Sequence, residues 1–325
     1  MSKPAIHNFL FHRISPERDS IWDPVDVPHF EKCIRYISSH YEVVQVEQLP
    51  LLENNSRSHR YATISFDDGY KDNFIYALPV LEKYGIKASF YVVTDCIEKN
   101  KPTWTHVLEY LFQHTSKKEI NLDFDFLAGE FSVKEIGTKS ERISFAKKLV
   151  LRLKLLSNAQ RLEVMERIST TFDDVQMPDF MMSWEDLKTL YAKGHYIGSH
   201  TVSHGLLGKM SSDEEILQEL NDSGNAIKEH LGYFPSTIAY PIGNYSEHII
   251  QLSKKSGYKI GLATKQDIYI PGKDGIFEVP RIELRNESWL KTLMRITNLL
   301  EVIKRKIHYR VHLLIGIGLL ELSFD

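Results

Sequence analysis

Cysteine is scarce in this sequence of 325 residues, which contains only Cys33 and Cys96. Two cysteines are too few for a disulfide framework or for a metal cluster built from thiolates, so both kinds of stabilisation are excluded. The low count is typical of a protein from a reducing compartment. The sequence also contains no internal repeat and no low-complexity tract, which excludes a solenoid or a fibrous protein.

An excess of positive charge is absent as well, because 40 Lys and Arg residues face 43 Asp and Glu residues and leave a net charge of −3. This balance gives no electrostatic basis for binding nucleic acid. The opening segment, "MSKPAIHNFLFHRISPERD", lacks the apolar core and the cleavage site of a signal peptide, since its apolar stretch runs straight into charged residues. We therefore expect a cytoplasmic protein.

Apolar β-type runs alternate with helical patterns along most of the chain. "HNFLFH", "YEVVQV", "YATISF", "KASFYVV", "YIGSH", "TIAYP" and "IGLAT" read as strands, and amphipathic segments separate most of them. Six or seven βα units fit the length better than two separate domains do. The alternation predicts an α/β fold with a parallel sheet or barrel surrounded by helices, here a distorted (β/α)7-type barrel over residues 1–285.

Two regions break this rhythm. Residues 100–182 are too long for a structureless loop, and their apolar residues recur at helical spacing, which predicts a helical insertion. The insertion either packs on the barrel without chemistry or walls the substrate cleft. Residues 286–325 predict an amphipathic tail whose apolar run, Leu313 to Leu320, is too short to span a bilayer. This tail is expected to pack on the barrel, contact a second subunit or touch a membrane peripherally.

The stretch "TISFDDGYKDN" places two carboxylates side by side at the end of a predicted strand. Successive strand residues point to opposite faces, so Asp67 and Asp68 can serve one site only if the strand stops there. Gly69 supplies the backbone freedom for that break. An ordinary solvated turn is the alternative, because Asp and Gly are common turn residues.

A second polar cluster, "YIGSHTVSHGLLG", carries His200 and His204 just after another predicted strand. Its glycines and β-branched residues favour a loop or a single turn over a helix. The carboxyl ends of barrel strands are where active sites lie, although two exposed loop histidines are the alternative. Together with Asp68 they form a two-histidine, one-carboxylate set that suits a divalent metal, with Asp67 beside it as a base.

Both polar clusters lie in stretches that resemble the motifs of a known protein family. "ISFDDGYKDNFIYALPVLEKYGIKASFYVV" and "GSHTVSH" resemble the first two motifs of the polysaccharide deacetylase family, also called carbohydrate esterase family four or the NodB homology domain. The resemblance covers roughly residues 5–99 and 183–285. It implies metal-dependent removal of N-acetyl or O-acetyl groups from sugars, with Asp67 as base and Asp68, His200 and His204 as metal ligands. Zinc is the first expectation, with cobalt, nickel or manganese as alternatives.

The third family motif is only partly kept. Its Arg-x-Pro-Tyr pattern aligns with Ala239, Tyr240, Pro241 and Ile242, and "YPIGNY" is similar to the branch that processes poly-N-acetylglucosamine. Tyr240, Pro241, Ile242 and Tyr245 are the implied contacts to substrate and oxyanion, the Ile242 backbone N–H among them. The arginine that orients the base is missing, and Arg281 in "VPRIEL" is a candidate replacement, a structural arginine being the alternative.

The late histidine that serves as general acid in the family has no clear counterpart in the C-terminal half. In the circularly permuted poly-N-acetylglucosamine branch, the equivalent histidine comes from the first strand. "FLFHRISPE" resembles that segment, which makes His12 the candidate acid, with His7 as the neighbouring alternative. A structural histidine at the end of the strand is the competing interpretation.

The expected partners are an acetylated sugar, a sugar nucleotide or a lipid-linked glycan, and nucleic acid is not expected. Trp104 and Trp184 could stack on sugar rings, or lie buried like most tryptophans. Three other functions stay open: a non-haem iron oxygenase, which also uses two histidines and a carboxylate, an amidohydrolase of small non-sugar amides, and a non-catalytic sugar-binding protein.

Overall fold

The computed structural model describes residues 4–52, 60–127 and 129–305 of the chain. The first half of the fold alternates short strands and helices. Its elements are β1 (Ile6–Phe11), α1 (Val27–His40), β2 (Glu42–Val43), β3 (Tyr61–Phe66), α2 (Leu78–Lys83), β4 (Ser89–Val92) and α3 (Thr94–Lys99). A 3-10 helix at Val46–Leu52 and a π-helical turn at Asn73–Ala77 complete this half.

The middle of the chain interrupts this alternation. It contains α4 (Trp104–His114), the antiparallel hairpin β5 (Glu119–Asn121) and β6 (Val133–Glu135), α5 (Lys139–Leu153) and α6 (Asn158–Thr171). Capping boxes at Thr138 and Ser157 begin α5 and α6, since each side chain accepts from the N3 backbone and the N3 side chain accepts in return. The periodicity of this stretch predicted helices, and the hairpin is an addition that the structure reveals.

The alternation then resumes with α7 (Trp184–Ala192), β7 (Tyr196–Ser199), α8 (Asp213–Leu231), β8 (Thr237–Ala239), α9 (Glu247–Lys255), β9 (Ile260–Leu262), β10 (Ile282–Glu283) and α10 (Trp289–Ile296). Among the described residues, no helix combines the length and the apolarity needed to cross a membrane. The apolar run predicted in the tail, Leu313 to Leu320, lies outside the described residues.

The principal sheet confirms the predicted α/β architecture. Its strands follow the order β10-β1-β3-β4-β7-β8-β9, with β2 also paired to β3, and all of these pairs are parallel. The last segment contacts both edges, because Val279 bridges to Leu262 of β9 while Ile282 pairs with Phe9 of β1. The result is a curled parallel sheet surrounded by helices, as in a distorted (β/α) barrel.

Strand β3 shows why the sheet is central. All six of its residues are buried, which is expected where helices cover one face and the barrel interior covers the other. The next residue, Asp67, lies at the carboxyl end of this strand. Because all strands of the principal sheet run in parallel, the residues that follow β1, β7, β8 and β9 reach the same end of this sheet.

The interrupting segment has a hydrophobic core of its own, built from α4, α5, α6 and the hairpin. Two buried or half-buried side chains from the barrel loops, Leu206 and Ile242, belong to the same cluster. Both residues follow barrel strands on the side where the polar motifs lie. This core therefore packs directly against the loops at the carboxyl end of the sheet.

Candidate metal centre

The two aspartates end β3 in a left-handed turn. Asp68 and Gly69 have φ values of 75° and 89°, a conformation that turns the chain out of the strand and lets both carboxylates point to one end of the barrel. Alanine is poorly accepted at Gly69, since a Cβ there would also lie 2.9 Å from Ile97 Cδ1. Both carboxylates are buried, which argues against a solvated turn.

Asp67 is held by a guanidinium from the far end of the chain. Nη1 and Nη2 of Arg281 donate to its two carboxylate oxygens, each at 2.7 Å, and Arg281 Nε donates to the carbonyl of Ala263 at 3.0 Å. Burial would raise the pKa of Asp67, but the charges of Arg281 and His200 outweigh it and lower that pKa. Asp67 is therefore an ionised carboxylate in a fixed orientation.

Asp68 faces the two histidines. Its Oδ1 lies 3.4 Å from Nε2 of His200 and 3.5 Å from Nε2 of His204. The ligand atoms of all three residues lie within 4.8 Å of one another. Oδ1 is buried and has no hydrogen-bond partner among the described residues, a costly state for a carboxylate oxygen unless something else binds it.

The loop that carries the histidines is strained and clamped. Thr201 and His204 adopt positive φ values of 67° and 56°, which is uncommon outside glycine. The carboxylate of Glu219 on α8 accepts from the backbone N–H groups of Val202 and Ser203 at 2.9 Å each, and from the Ser203 hydroxyl. These bonds compensate the strain and hold the loop in place.

The histidine nitrogens are set up to coordinate. Nδ1 of His200 donates to the carbonyl of Ala239 at 2.7 Å, which leaves Nε2 as the free ligand atom. Burial lowers the pKa of His204 to about 3, so that this imidazole is neutral. The pKa of His200 is raised, because Asp67 and Asp68 outweigh the effect of its burial. A cation bound here would displace the His200 proton.

The spacing of these donors fits a small divalent cation. Two ligand atoms that each lie about 2.0–2.1 Å from zinc in a tetrahedral site are about 3.4 Å apart. The Asp68–His200 and Asp68–His204 distances of 3.4 and 3.5 Å match this value. The residues are thus suited to hold a divalent metal, as the sequence predicted.

A cleft of about 510 Å³ opens over this centre. Its lining combines residues from the strand ends with residues from α4 and α5: His12, Trp22, Asp67, Asp68, Thr105, Glu109, Val150, Lys154, His200, His204, Ile242, Thr264, Gln266, Glu283 and Arg285. A second cavity of about 360 Å³ shares His12, Trp22, Glu283 and Arg285 with it, so the space continues past His12.

The two candidate acids have different surroundings. His12 lies in the cleft with its side chain 24 % exposed, its Nδ1 3.6 Å from Glu283 Oε1 and its ring 5.4 Å from that of Trp22. His7 does not line the cleft. Its Nδ1 donates to the carbonyl of Ile296 at 2.9 Å, and its ring packs on Tyr41. Only His12 is positioned to reach a group in the cleft.

Of the third motif, only Ile242 lines the cleft. It occupies a short 3-10 turn, Pro241–Gly243, with a positive φ of 58°. Tyr240 instead packs in a cluster between α8 and α9 and stacks on Tyr245 at 5.0 Å. Tyr240 directly follows β8, and its ring lies in that cluster and not in the lining of the cleft. Pro241 is also absent from its lining.

The tryptophans chosen from the sequence lie elsewhere. Trp184 stacks on His230 at 4.0 Å and donates to Glu98, while Trp104 lies beneath the guanidinium of Arg161. Trp22 lines both cavities instead, and sequence reasoning missed it, as it missed Glu109, Lys154, Glu283 and Arg285. The only available signal for Trp22 was its position ten residues after His12.

Comparison with known proteins agrees with the resemblance found from the sequence motifs. The sequence profile of the polysaccharide deacetylase family matches residues 54–136 and 164–261, more than half of the chain. YxkH of Bacillus subtilis (strain 168), whose name assigns it to the same family, is 22 % identical over 267 residues, which are 81 % of this chain and 66 % of that protein.

Two further relatives complete the comparison. The poly-beta-1,6-N-acetyl-D-glucosamine N-deacetylase of Staphylococcus aureus (strain MRSA252) is 25 % identical over 123 residues, 35 % of this chain and 42 % of that enzyme. The alignments thus span less than two thirds of these curated relatives. The structure of the Streptococcus pyogenes deacetylase PplD in complex with acetate superposes with a TM-score of 0.60 at 18 % identity, covering 91 % of this chain and 99 % of that one.

Proposed function

Because the chain belongs to the polysaccharide deacetylase family, we propose that it is a metal-dependent hydrolase that removes the N-acetyl group from an acetylated sugar. The proposal rests on the two neighbouring aspartates at the end of β3, one suited to bind a metal and the other suited to act as a base. Asp68 joins His200 and His204 in a set that fits a divalent metal, and the neighbouring Asp67 is ionised and locked by Arg281. Zinc is the first expectation for such nitrogen and oxygen ligands.

A divalent cation held by Asp68, His200 and His204 would supply Lewis acidity to a water molecule and to the acetyl carbonyl. Asp67 accepts the proton of that water, because its carboxylate is ionised and its orientation is fixed by two hydrogen bonds. The N–H of Ile242, in its left-handed turn at the cleft, donates to the developing oxyanion. His12 protonates the departing amine, and its Nδ1 lies 3.6 Å from Glu283 Oε1, which orients the ring in the cleft.

The position of Arg281 helps to decide between an enzyme and a sugar-binding protein without activity. The missing motif arginine favoured a sugar-binding protein without activity, because nothing in that motif would orient the base. In the structure, Arg281 supplies a bidentate guanidinium to Asp67 from a later strand connection. This contact supports a catalytic site.

The substrate is proposed by analogy with the staphylococcal relative, whose name specifies poly-β-1,6-N-acetylglucosamine. We therefore choose the β-1,6-linked tetramer of N-acetylglucosamine as the test substrate. Sugar nucleotides and lipid-linked glycans stay as alternative partners, and UDP-N-acetylglucosamine represents them in the same assay. The cytoplasmic location is likewise a prediction, which fractionation of the source cells would check.

The decisive experiment measures metal content and acetate release in the same preparations. The wild-type protein is expected to retain about one divalent metal per chain and to release acetate from the tetramer. Asp67→Asn is expected to keep the metal and lose turnover, whereas His204→Ala is expected to lose both. Equal loss of metal in the two variants would refute this division of roles, and a metal-loaded wild type that releases no acetate from any acetylated sugar would refute the deacetylase itself.

A further inference from the structure

One wall of the cleft comes from the helices that interrupt the barrel. Thr105 and Glu109 on α4 and Val150 on α5 line it, as does Lys154, the residue that follows α5. These residues line the same cavity as the metal-binding residues and His12. The helices that interrupt the barrel therefore enclose the space that a substrate would occupy.

The two charged residues of this wall are unpaired. In the part of the chain that the structure describes, neither the Glu109 carboxylate nor the Lys154 ammonium forms a hydrogen bond or a salt bridge with another side chain, although both are partly buried. Partial burial removes water from such groups and makes a binding partner favourable. Elsewhere on the same helices, Glu141 and Arg142 are satisfied by neighbours.

The other ionic groups of the cleft are already balanced. Asp67 is paired with Arg281, and Glu283 accepts from Arg285. A divalent metal would balance Asp68 and the histidines. Glu109 and Lys154 then remain, one acidic and one basic, so the cleft has no excess of positive charge for a polyanionic ligand. Burial raises the pKa of the Glu109 carboxyl to about 7, so this group is only partly ionised at neutral pH.

We propose that Glu109 and Lys154 form a binding subsite for an uncharged pyranose ring that adjoins the acetylated ring. The Glu109 carboxyl group forms hydrogen bonds with ring hydroxyls, and the Lys154 ammonium donates to hydroxyl or ring oxygens. This inference rests on the proposed deacetylase function. It identifies the substrate as an oligosaccharide and the insertion as the source of its specificity.

The subsite also discriminates against a sugar nucleotide. A diphosphate would bring two negative charges into a cleft in which Lys154 is the one described cation of the wall without a fixed partner. The continuation of the space past His12 and Trp22 leaves room for further sugar units instead. An oligosaccharide thus fits both the charge and the shape.

The test compares Glu109→Met and Lys154→Met with two matched controls on exposed positions of the same segment, Glu163→Met and Lys148→Met. Acetate release is measured with the N-acetylglucosamine monomer and the β-1,6-linked tetramer. We expect the ratio of tetramer to monomer kcat/KM to fall roughly 10-fold in each of the first two variants, mainly through KM, and to stay at the wild-type value in the controls.

Binding of the tetramer, measured by calorimetry, tests the subsite independently of the proposed deacetylase activity. If the wild type releases no acetate but binds the tetramer, and the binding weakens roughly 10-fold only in the Glu109 and Lys154 variants, the subsite stands while the deacetylase fails. Equal tetramer-to-monomer ratios in all variants, no tetramer binding by the wild type, or tighter binding of UDP-N-acetylglucosamine than of the tetramer would overturn the subsite.

Discussion

Asp67 and Asp68 are adjacent in sequence but have opposite electrostatic partners. Asp67 is neutralised inside the protein by Arg281, whereas Asp68 has its Oδ1 open toward two imidazoles. Their repulsion is thus relieved in two different ways, once by a guanidinium and once by the site for a cation. A pair of like charges can be stable in a buried position only under such a division.

The contact between Asp67 and Arg281 yields a testable consequence. Arg281→Met leaves the Asp67 carboxylate buried without its partner, which costs about 3–5 kcal/mol of unfolding free energy and at least about 100-fold in kcat. Chemical denaturation and acetate release measure the two effects. Arg285→Met, which removes an exposed partner of Glu283, serves as the control for stability and is expected to cost less than about 1 kcal/mol. Similar stability losses in both variants would contradict the role of the buried pair.

A second residue-scale prediction concerns pH. Glu47 lies in the 3-10 helix Val46–Leu52 with its Oε2 buried and unpartnered among the described residues, and burial raises its pKa from 4.5 to about 7. The folded state therefore holds a proton between these values while the unfolded state does not, so the glutamate destabilises the fold as pH rises through this window.

Glu47→Gln is accordingly expected to raise the unfolding free energy by about 2 kcal/mol at pH 8 and to change it little at pH 4.5. Denaturant titrations of the variant and the wild type at both pH values check this. The exposed Glu119→Gln gives the baseline. A gain that is equal at both pH values would show that the charge of Glu47 is not responsible.

Among the described elements, the turn Pro241–Gly243 is tightly constrained. Ile242 and Gly243 both have positive φ, and a Cβ on Gly243 would lie 2.0 Å from Thr264 Oγ1. Gly243→Ala should therefore cost at least about 2 kcal/mol and displace the Ile242 N–H from the cleft.

Gly232 provides the matched control for this turn, because it also has a positive φ of 83° but no atom within 4 Å of an added Cβ. Gly232→Ala is expected to cost about 1 kcal/mol with kcat retained. Circular dichroism measures the folded fraction of each variant, and acetate release per folded molecule then distinguishes Gly243→Ala from Gly232→Ala. Retained kcat in Gly243→Ala would show that this turn does not donate to the oxyanion.

The sequence predicted the elements best where the pattern was local. The all-buried strand β3, the break at Gly69 and the loop at His200 follow from composition and spacing alone. The hairpin β5–β6 was missed because its strands are three residues long and largely exposed, so they carry no clear alternation. Tyr240 was placed correctly at a strand end, but the face to which its side chain points depends on the exact register of β8.

Contacts between distant segments were harder to infer. Arg281 was a candidate partner of Asp67, whereas Glu109 and Lys154 carried no motif at all. Their position in the cleft depends on how α4 and α5 pack against Leu206 and Ile242, which no local pattern encodes.

For the whole molecule, the metal centre links ligand binding to stability. An ion that binds only the folded state at 100 times its Kd adds about 2.7 kcal/mol to the unfolding free energy. Zinc is therefore expected to raise the melting temperature of metal-stripped protein, and a chelator is expected to reverse the gain. His204→Ala should abolish the response, and an undiminished response in that variant would place the ion elsewhere.

The pairing of Asp67 with Arg281 also has a consequence for the order of events during synthesis. The two residues are 214 positions apart, and Arg281 emerges from the ribosome long after β3. Until then, the carboxylate at the end of β3 lacks its counter-charge, and the barrel is missing the segment that joins its two edges. Contacts between residues so far apart in sequence slow folding, because the entropy of closing a long loop is lost before they form. The buried pair that fixes the orientation of Asp67 is therefore completed only after translation of nearly the whole barrel, and a growing chain that stalls before residue 281 lacks it.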